Sequence, residues 1–227
     1  MSLWSRISEA LQALSSGEGL AAVFDRLRTP PERSVAFAIA VIALGAKMAK
    51  ADGHVTRDEV TAFREIFHIA VQDEAGAARV FNLARQDVAG FEEYAARIRN
   101  MFEGHPQTLS DLVEGLFYIA MADGIFHPNE NAFLERVCEI FELEDREYRA
   151  IRARFVPGEE RDPHDVLGVD PGMPLEDMRK IWRKMVRENH PDAMLSRGVP
   201  EEAIRLAEKR MIDINRAWEE ITSLRTS

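Results

Sequence analysis

LEDMRKIWRKMVRENHPD, the stretch from Leu175 to Asp192, decides how the C-terminal part of this chain folds. At about 100° per residue, its apolar residues fall on one side of a helix and its basic residues fall on the other. The basic residues lie within an arc of roughly 140°. The basic residues are Arg179, Lys180, Arg183, Lys184 and Arg187. The pattern predicts a helix from about Leu175 to Asn189 that packs with one face and turns a basic face to solvent.

Shorter patterns on both sides complete a small domain. The sequence DVLGV from Asp165 to Val169 predicts a short first helix, and apolar residues at three- and four-residue spacing predict a third helix from Pro200 to Leu224. The prolines and glycine of VPGEERDP, which starts at residue 156, indicate a linker. We therefore expect a linker at 156–161 and a three-helix domain at 162–227.

This combination of motifs resembles the J-domain of DnaJ-type co-chaperones. The features that carry the resemblance are the VLGV ending of the first helix, the basic second helix, the His190-Pro191-Asp192 loop, and the sequence INRAW at 214–218. The resemblance implies docking on the ATPase of a DnaK-type chaperone, with the basic helix against an acidic groove. It also implies that the His-Pro-Asp loop stimulates ATP hydrolysis by that partner.

Three positions depart from the usual J-domain pattern. His164 stands where an aromatic residue is usual in the first helix, Trp182 replaces the tyrosine of the second helix, and Asn189 replaces the aromatic residue before the loop. The changes leave the His-Pro-Asp sequence and the basic face intact.

The residue chemistry agrees with a docking role and argues against catalysis by this chain. Arginines and lysines at helical spacing steer and orient a partner, and Asp192 beside a proline can offer its carboxylate to a partner arginine at little ordering cost. His190 has no companions at metal-ligand spacing and no nearby nucleophile. We therefore predict a regulator of a partner ATPase, not an enzyme, and no cofactor. A merely solvated basic face followed by a chain-reversing turn is the alternative.

The N-terminal part contains an internal repeat. Residues 48–63 read MAKADGHVTRDEVTAF and residues 119–134 read IAMADGIFHPNENAFL, which share an Asp-Gly pair followed by a glutamate. The Asp-Gly pair predicts a tight turn between two helices, and Thr56 with Glu59 predicts a capping box. In the second copy Pro128 suits the first helical position and Glu130 the third. These units predict a helical domain at 31–155, preceded by an amphipathic helical segment at 1–30.

This helical domain resembles the tellurite-resistance TerB family, in which paired helical units carry an Asp-Gly turn and a later glutamate. The order of a TerB-like domain and then a J-domain resembles the DjlA-like group of co-chaperones. The resemblance leaves the TerB-like domain to supply an unknown client, a location or regulation. The expected fold class is therefore all-α: a TerB-like bundle with a helix-turn-helix repeat, followed by a three-helix J-domain.

The repeated carboxylates allow a second interpretation. Asp52, Glu59, Asp123 and Glu130 match only the second half of a calcium-binding EF-hand loop, because apolar residues and a lysine stand where the first oxygen ligands belong. We interpret the four as turn and capping groups, and convergence on one cation as the alternative. The corresponding alternative function is a metal-responsive or stress-related binding module that recruits a chaperone.

Composition and hydropathy limit the partners and the cellular location that we expect for this chain. The 227 residues carry a net charge of -10, which argues against nucleic-acid binding, since that binding depends on Lys and Arg neutralising phosphates. The most apolar run, Val35 to Ala46, is about 12 residues long against roughly 20 needed to cross a bilayer, and it predicts a buried helix. Charged residues in the first turns argue against a secretory signal. We expect a cytoplasmic protein, with association at the inner face of a membrane left open.

Overall fold

The computed structural model describes residues 3, 6–7, 33–52, 61, 74–86, 90–156 and 162–226. Every regular element in these ranges is helical, which confirms the predicted all-α fold class. The α-helices are α1 (Arg33–Asp52), α2 (Glu74–Gln86), α3 (Phe91–Met101), α4 (Pro106–Ala120), α5 (Pro128–Phe141), α6 (Asp145–Phe155), α7 (Pro163–Val166), α8 (Leu175–Glu188), α9 (Pro191–Ser196) and α10 (Ile204–Thr226), with a 3₁₀ turn at Glu201–Ala203.

Helix α1 is the centre of the larger core. Its residues from Val35 to Leu44 are all at most 1% exposed, because α2, α3, α4 and α5 pack around it. A helix that is apolar on all sides is stable only when it is enclosed in this way. The prediction of a buried helix over Val35 to Ala46 is confirmed. Leu3 and Ile7 of the predicted N-terminal segment are also buried in this core.

Two hydrophobic cores share the last helix. Leu206 and Ala207, in the first half of α10, belong to the larger core with α1 and α4, whereas Ile214 and Ile221 belong to a smaller core with α7 and α8. Residues from both sides of the predicted linker thus contribute to the larger core. The division into separate domains at 156–161 stays a prediction.

The second Asp-Gly unit forms the turn and cap that the sequence suggests. Pro128 occupies the first turn of α5, and the Glu130 Oε2 accepts the backbone N–H of His127 at 2.9 Å. The Asp123 Oδ1 accepts the N–H of Ile125 at 2.8 Å, and Gly124 adopts a left-handed φ of 81° that favours glycine. Only residues 48–52 and 61 of the first unit are among the described residues, so its turn and cap, including Thr56 and Glu59, lie outside them.

The chain after the basic helix differs from expectation. The sequence suggested a loop from His190 to Val199, but Pro191 begins the short helix α9. Proline is favoured at the first helical position, and the His190 Nδ1 accepts the N–H of Asp192 at 3.3 Å, so His190 caps α9. Met194 and Val199 then pack into the larger core, which gives this short helix a buried side. In the described part of the chain, no helix has the length and hydropathy required to cross a membrane.

Candidate functional site

Helix α8 has the two faces that its sequence predicts. Met178 is buried, and Ile181, Trp182 and Met185 pack against the smaller core. The Trp182 ring stacks on Trp218 with centroids 5.2 Å apart. All five predicted basic residues are exposed on the opposite side, and we call them the docking face: Arg179, Lys180, Arg183, Lys184 and Arg187.

The substitution of Trp182 for tyrosine is accommodated by a hydrogen bond. The Trp182 Nε1 donates to the Asn215 Oδ1 of α10 at 3.1 Å, so the indole N–H is satisfied while its rings stay in the core. This bond and the stacked pair fix the rotation of α8 about its own axis relative to α10. The docking face consequently has one defined orientation.

The cations of the docking face are not equivalent. The Lys180 Nζ lies 2.7 Å from the Asp177 Oδ1, whereas Arg179 and Lys184 make looser contacts of 3.7 Å with glutamates of the same helix. The hydrogen bond with Asp177 raises the pKa of Lys180. No carboxylate among the described residues lies within ion-pair distance of Arg183 or Arg187, both of which are exposed. These two arginines are therefore the least neutralised charges of the face.

His190, Pro191 and Asp192 project from the end of the docking face, and we call them the HPD turn. The side chains of His190 and Asp192 are 56% and 87% exposed. The backbone N–H of Asp192 is used by the His190 cap, but the Asp192 carboxylate extends into solvent 3.5 Å from the histidine ring. The HPD turn thus presents a negative charge on a backbone that a proline and a helix cap restrict.

Polar residues that were not predicted from the sequence contact the two residues that precede the HPD turn. Arg197 Nη1 donates to the backbone carbonyl of Glu188 at 2.6 Å, and Arg210 Nη1 donates to the Asn189 Oδ1. Both arginines also contact the Asp111 carboxylate of α4, Arg197 at 3.0 Å and Arg210 at 2.7 Å. One carboxylate of the N-terminal part therefore binds both arginines that contact the residues before the turn.

A second carboxylate extends this network along α4. Glu114, which is 2% exposed, pairs with the Arg154 of α6 at 2.9 Å and also contacts Arg210. Burial lowers the pKa of Arg154 to about 10, so it still carries its charge at neutral pH. We call the whole group the buried ionic cluster: Asp111, Glu114, Arg154, Arg197 and Arg210.

The sequence contained a signal for this cluster. Asp111 and Glu114 are three residues apart in TLSDLVEGLF, residues 108–117, where apolar residues predict a buried helix. Buried carboxylates require cationic partners, so these two positions indicated hidden arginines. The sequence did not indicate which arginines, because the partners lie 40 to 99 residues away in the chain.

The structure describes the side chains of only two of the four predicted metal ligands. In the second repeat unit, Asp123 and Glu130 serve the turn and the cap described above. The side chains of Asp52 and Glu59 lie outside the described residues, so a site shared by the two units stays a prediction. Within the ranges that the structure covers, no group of three or more His, Cys, Asp or Glu residues could hold a metal ion.

Comparisons with known proteins identify both the family and a set of relatives. Residues 38–153 match the family described as Tellurite resistance protein TerB. Co-chaperone protein DjlA of Photobacterium profundum is 25% identical over 245 residues, which covers 96% of this chain and 88% of that protein. Co-chaperone protein DjlA of Escherichia coli is 24% identical over 269 residues, with 96% and 97% covered. No solved structure matches the chain significantly.

The match to TerB spans just over half of the chain and includes the repeat unit around Asp123. The relatives named DjlA extend the similarity through the C-terminal part that carries the docking face and the HPD turn. The chain therefore belongs to the TerB family, and its similarity to DjlA proteins along almost its whole length confirms the predicted DjlA-like group.

Proposed function

We propose that this chain is a co-chaperone that docks on a DnaK-type chaperone and stimulates its ATP hydrolysis. The observation that carries the proposal is the HPD turn, whose Asp192 is 87% exposed at the end of an exposed basic helix. The relatives named co-chaperone protein DjlA support the same role. The chain itself acts as a regulator of the partner ATPase and not as an enzyme.

The geometry gives each part of the surface a separate task. Arg183 and Arg187, with the other residues of the docking face, attract and orient an acidic groove, an effect that falls with salt. Asp192 then offers a carboxylate to a cation of the partner, and charge-assisted pairs of this kind are short and strong. The restricted backbone of the HPD turn lowers the ordering cost of that contact.

The TerB-like part has a different task in this proposal. It supplies the client, the location or the regulation, while the C-terminal part engages the chaperone. The net charge of -10 supports a protein partner over nucleic acid. A cytoplasmic setting is part of the proposal, because that compartment contains the ATPase that the HPD turn would engage.

Single-turnover ATP hydrolysis by a DnaK-type chaperone tests the proposal. Wild-type protein should accelerate hydrolysis, and Asp192→Asn should abolish the acceleration, because it removes one exposed charge without disturbing either core. Glu219→Gln is the matched control, since Glu219 is an exposed carboxylate of α10 away from the HPD turn. Equal stimulation by wild type and Asp192→Asn would refute the assignment.

His190→Gln provides an independent check on the same turn. We expect loss of stimulation together with a small loss of stability, at most about 1 kcal/mol, because the exposed His190 ring also caps α9. Thermal unfolding of the full chain measures the second effect. A large fall in melting temperature would mean that His190 acts mainly in the fold.

A further inference from the structure

We propose that Asp111, in the TerB-like part, positions the HPD turn and so makes that part necessary for efficient chaperone engagement. The effect on chaperone engagement rests on the proposed function. Its structural basis is the contact of one buried carboxylate with two arginines, each of which reaches a residue directly before the turn.

The first arm of this support runs through Arg197. Glu188 is the last residue of α8, so its carbonyl has no partner within the helix. Arg197 Nη1 satisfies it at 2.6 Å, and the Nη2 of the same guanidinium lies 3.0 Å from the Asp111 Oδ2. Asp111 thereby fixes the guanidinium of Arg197, which caps the C-terminal end of α8.

The second arm runs through Arg210 and Asn189. Asn189 is 7% exposed and turns its amide inward, donating from Nδ2 to the Met185 carbonyl at 2.7 Å and accepting from Arg210 through Oδ1. Arg210 lies 2.7 Å from the other oxygen of Asp111. The short asparagine side chain places an acceptor oxygen beside the buried arginine, so the two residues fit each other.

The residues that follow the HPD turn are held by the larger core, to which α4 also contributes. Met194 of α9 and Val199 are 0% and 1% exposed in the larger core, which α1 and α4 dominate. The HPD turn, in which His190 and Asp192 are exposed, therefore lies between two buried anchor points, Asn189 on one side and Met194 on the other. This arrangement restricts the turn before any partner binds, and restriction of this kind strengthens binding without adding a contact.

Two variants of the full chain test the positioning role. Asp111→Asn removes the charge shared by both arms, and Arg197→Met removes the first arm alone at a residue that is 15% exposed. Arg154→Met is the matched control, because Arg154 is a buried arginine paired with Glu114 of the same helix α4 but contacts no residue of the turn. If Asp111→Asn does not fold, Arg197→Met decides the question.

Hydrogen exchange is the first measurement, and it needs no chaperone. We expect faster exchange of the amides from Asn189 to Val199 in Asp111→Asn and Arg197→Met than in wild type. Arg154→Met should leave that segment at its wild-type rate relative to the rest of the chain. Unchanged exchange in both test variants, or an equal effect in the control, would overturn the positioning role.

Titration of stimulated single-turnover hydrolysis is the second measurement. The two test variants should need about tenfold more protein for half-maximal stimulation, with the maximal rate preserved. A change of about tenfold is expected if one residue that is ordered in the free wild-type protein must instead be ordered on binding. A lower maximal rate at unchanged half-maximal concentration would contradict positioning. If wild-type protein does not stimulate at all, the proposed function fails, and hydrogen exchange still decides whether Asp111 orders the turn.

Discussion

Two sets of basic residues in this chain are in opposite environments. Those of the docking face are exposed and are paired, where they are paired at all, with carboxylates of their own helix. The arginines of the buried ionic cluster are between 4% and 15% exposed and pair with Asp111 and Glu114 of α4. The first set is available to a partner protein, whereas Arg197 and Arg210 of the second set join the C-terminal part of this chain to the N-terminal part.

The difference in environment determines what each set contributes. An exposed cation contributes little to stability, because water and salt screen it, but it can orient an approaching partner. A buried cation contributes through its partner, since removal of either member leaves an uncompensated charge in a dry site. We therefore expect substitutions in the docking face to change function without changing stability, and substitutions in the buried ionic cluster to change stability first.

The largest effect is expected for Arg210→Met. This change leaves Asp111 and Glu114 without one of their cations, and the loss of one partner of a buried pair costs about 3 to 5 kcal/mol. Arg183→Met on the docking face should change the unfolding free energy by less than about 0.5 kcal/mol. Urea unfolding followed by tryptophan fluorescence measures both. Similar costs for the two variants would remove the distinction between the two sets.

Salt separates the same two sets without mutation. Stimulation of the chaperone at limiting concentration should fall steadily as salt rises, because exposed charges are screened beyond a Debye length of about 8 Å at physiological ionic strength. The free energy of unfolding should depend much less on salt, since the buried pairs are shielded from the solvent. Stimulation that is insensitive to salt would exclude an electrostatic docking face.

The sequence predicted the exposed set and missed the buried one for a physical reason. Arginines and lysines on α8 follow the helical period, so a local pattern of 18 residues placed them on one face. The contact between Asp111 and Arg210 joins residues 99 positions apart, and no local period encodes it. The same reason explains the short helix α9: its buried residue Met194 packs against a distant core that the local sequence does not reveal.

A smaller effect is expected within the docking face itself. Arg183→Glu should weaken stimulation more than Lys180→Glu, because Arg183 pairs with no carboxylate of the described residues whereas Lys180 already pairs with Asp177 at 2.7 Å. Reversal of Lys180 also leaves two adjacent acids on the helix surface, so circular dichroism should confirm equal helix content. Titrations of stimulated ATP hydrolysis then compare the two variants. Equal losses would show that pairing within α8 does not weaken a docking cation.

The smallest effect concerns Glu147 of α6. Its side chain is partly buried, so its environment is intermediate between those of the exposed docking face and the buried ionic cluster. Burial raises the pKa of Glu147, against the opposing influences of its hydrogen bond with Ser110 and the charge of Arg154. Because the folded pKa exceeds its ordinary value of 4.5, the native state binds this proton more tightly than the unfolded chain does. The contribution of this group to stability is therefore fully present below about pH 4.5 and is lost as the pH rises through the folded pKa.

Glu147→Gln should consequently make the chain slightly more stable than wild type at pH 7, since the amide is neutral and can still accept a hydrogen bond from Ser110. The advantage should shrink as the pH falls toward 4, where wild-type Glu147 is protonated as well. Thermal unfolding between pH 4 and 8 measures the difference, and Glu103→Gln, at an exposed position, is the control that should show no such trend. A Glu147→Gln variant that is less stable at pH 7 would mean that the attraction of Arg154 for the carboxylate outweighs its burial. Glu147 would then belong with the buried ionic cluster.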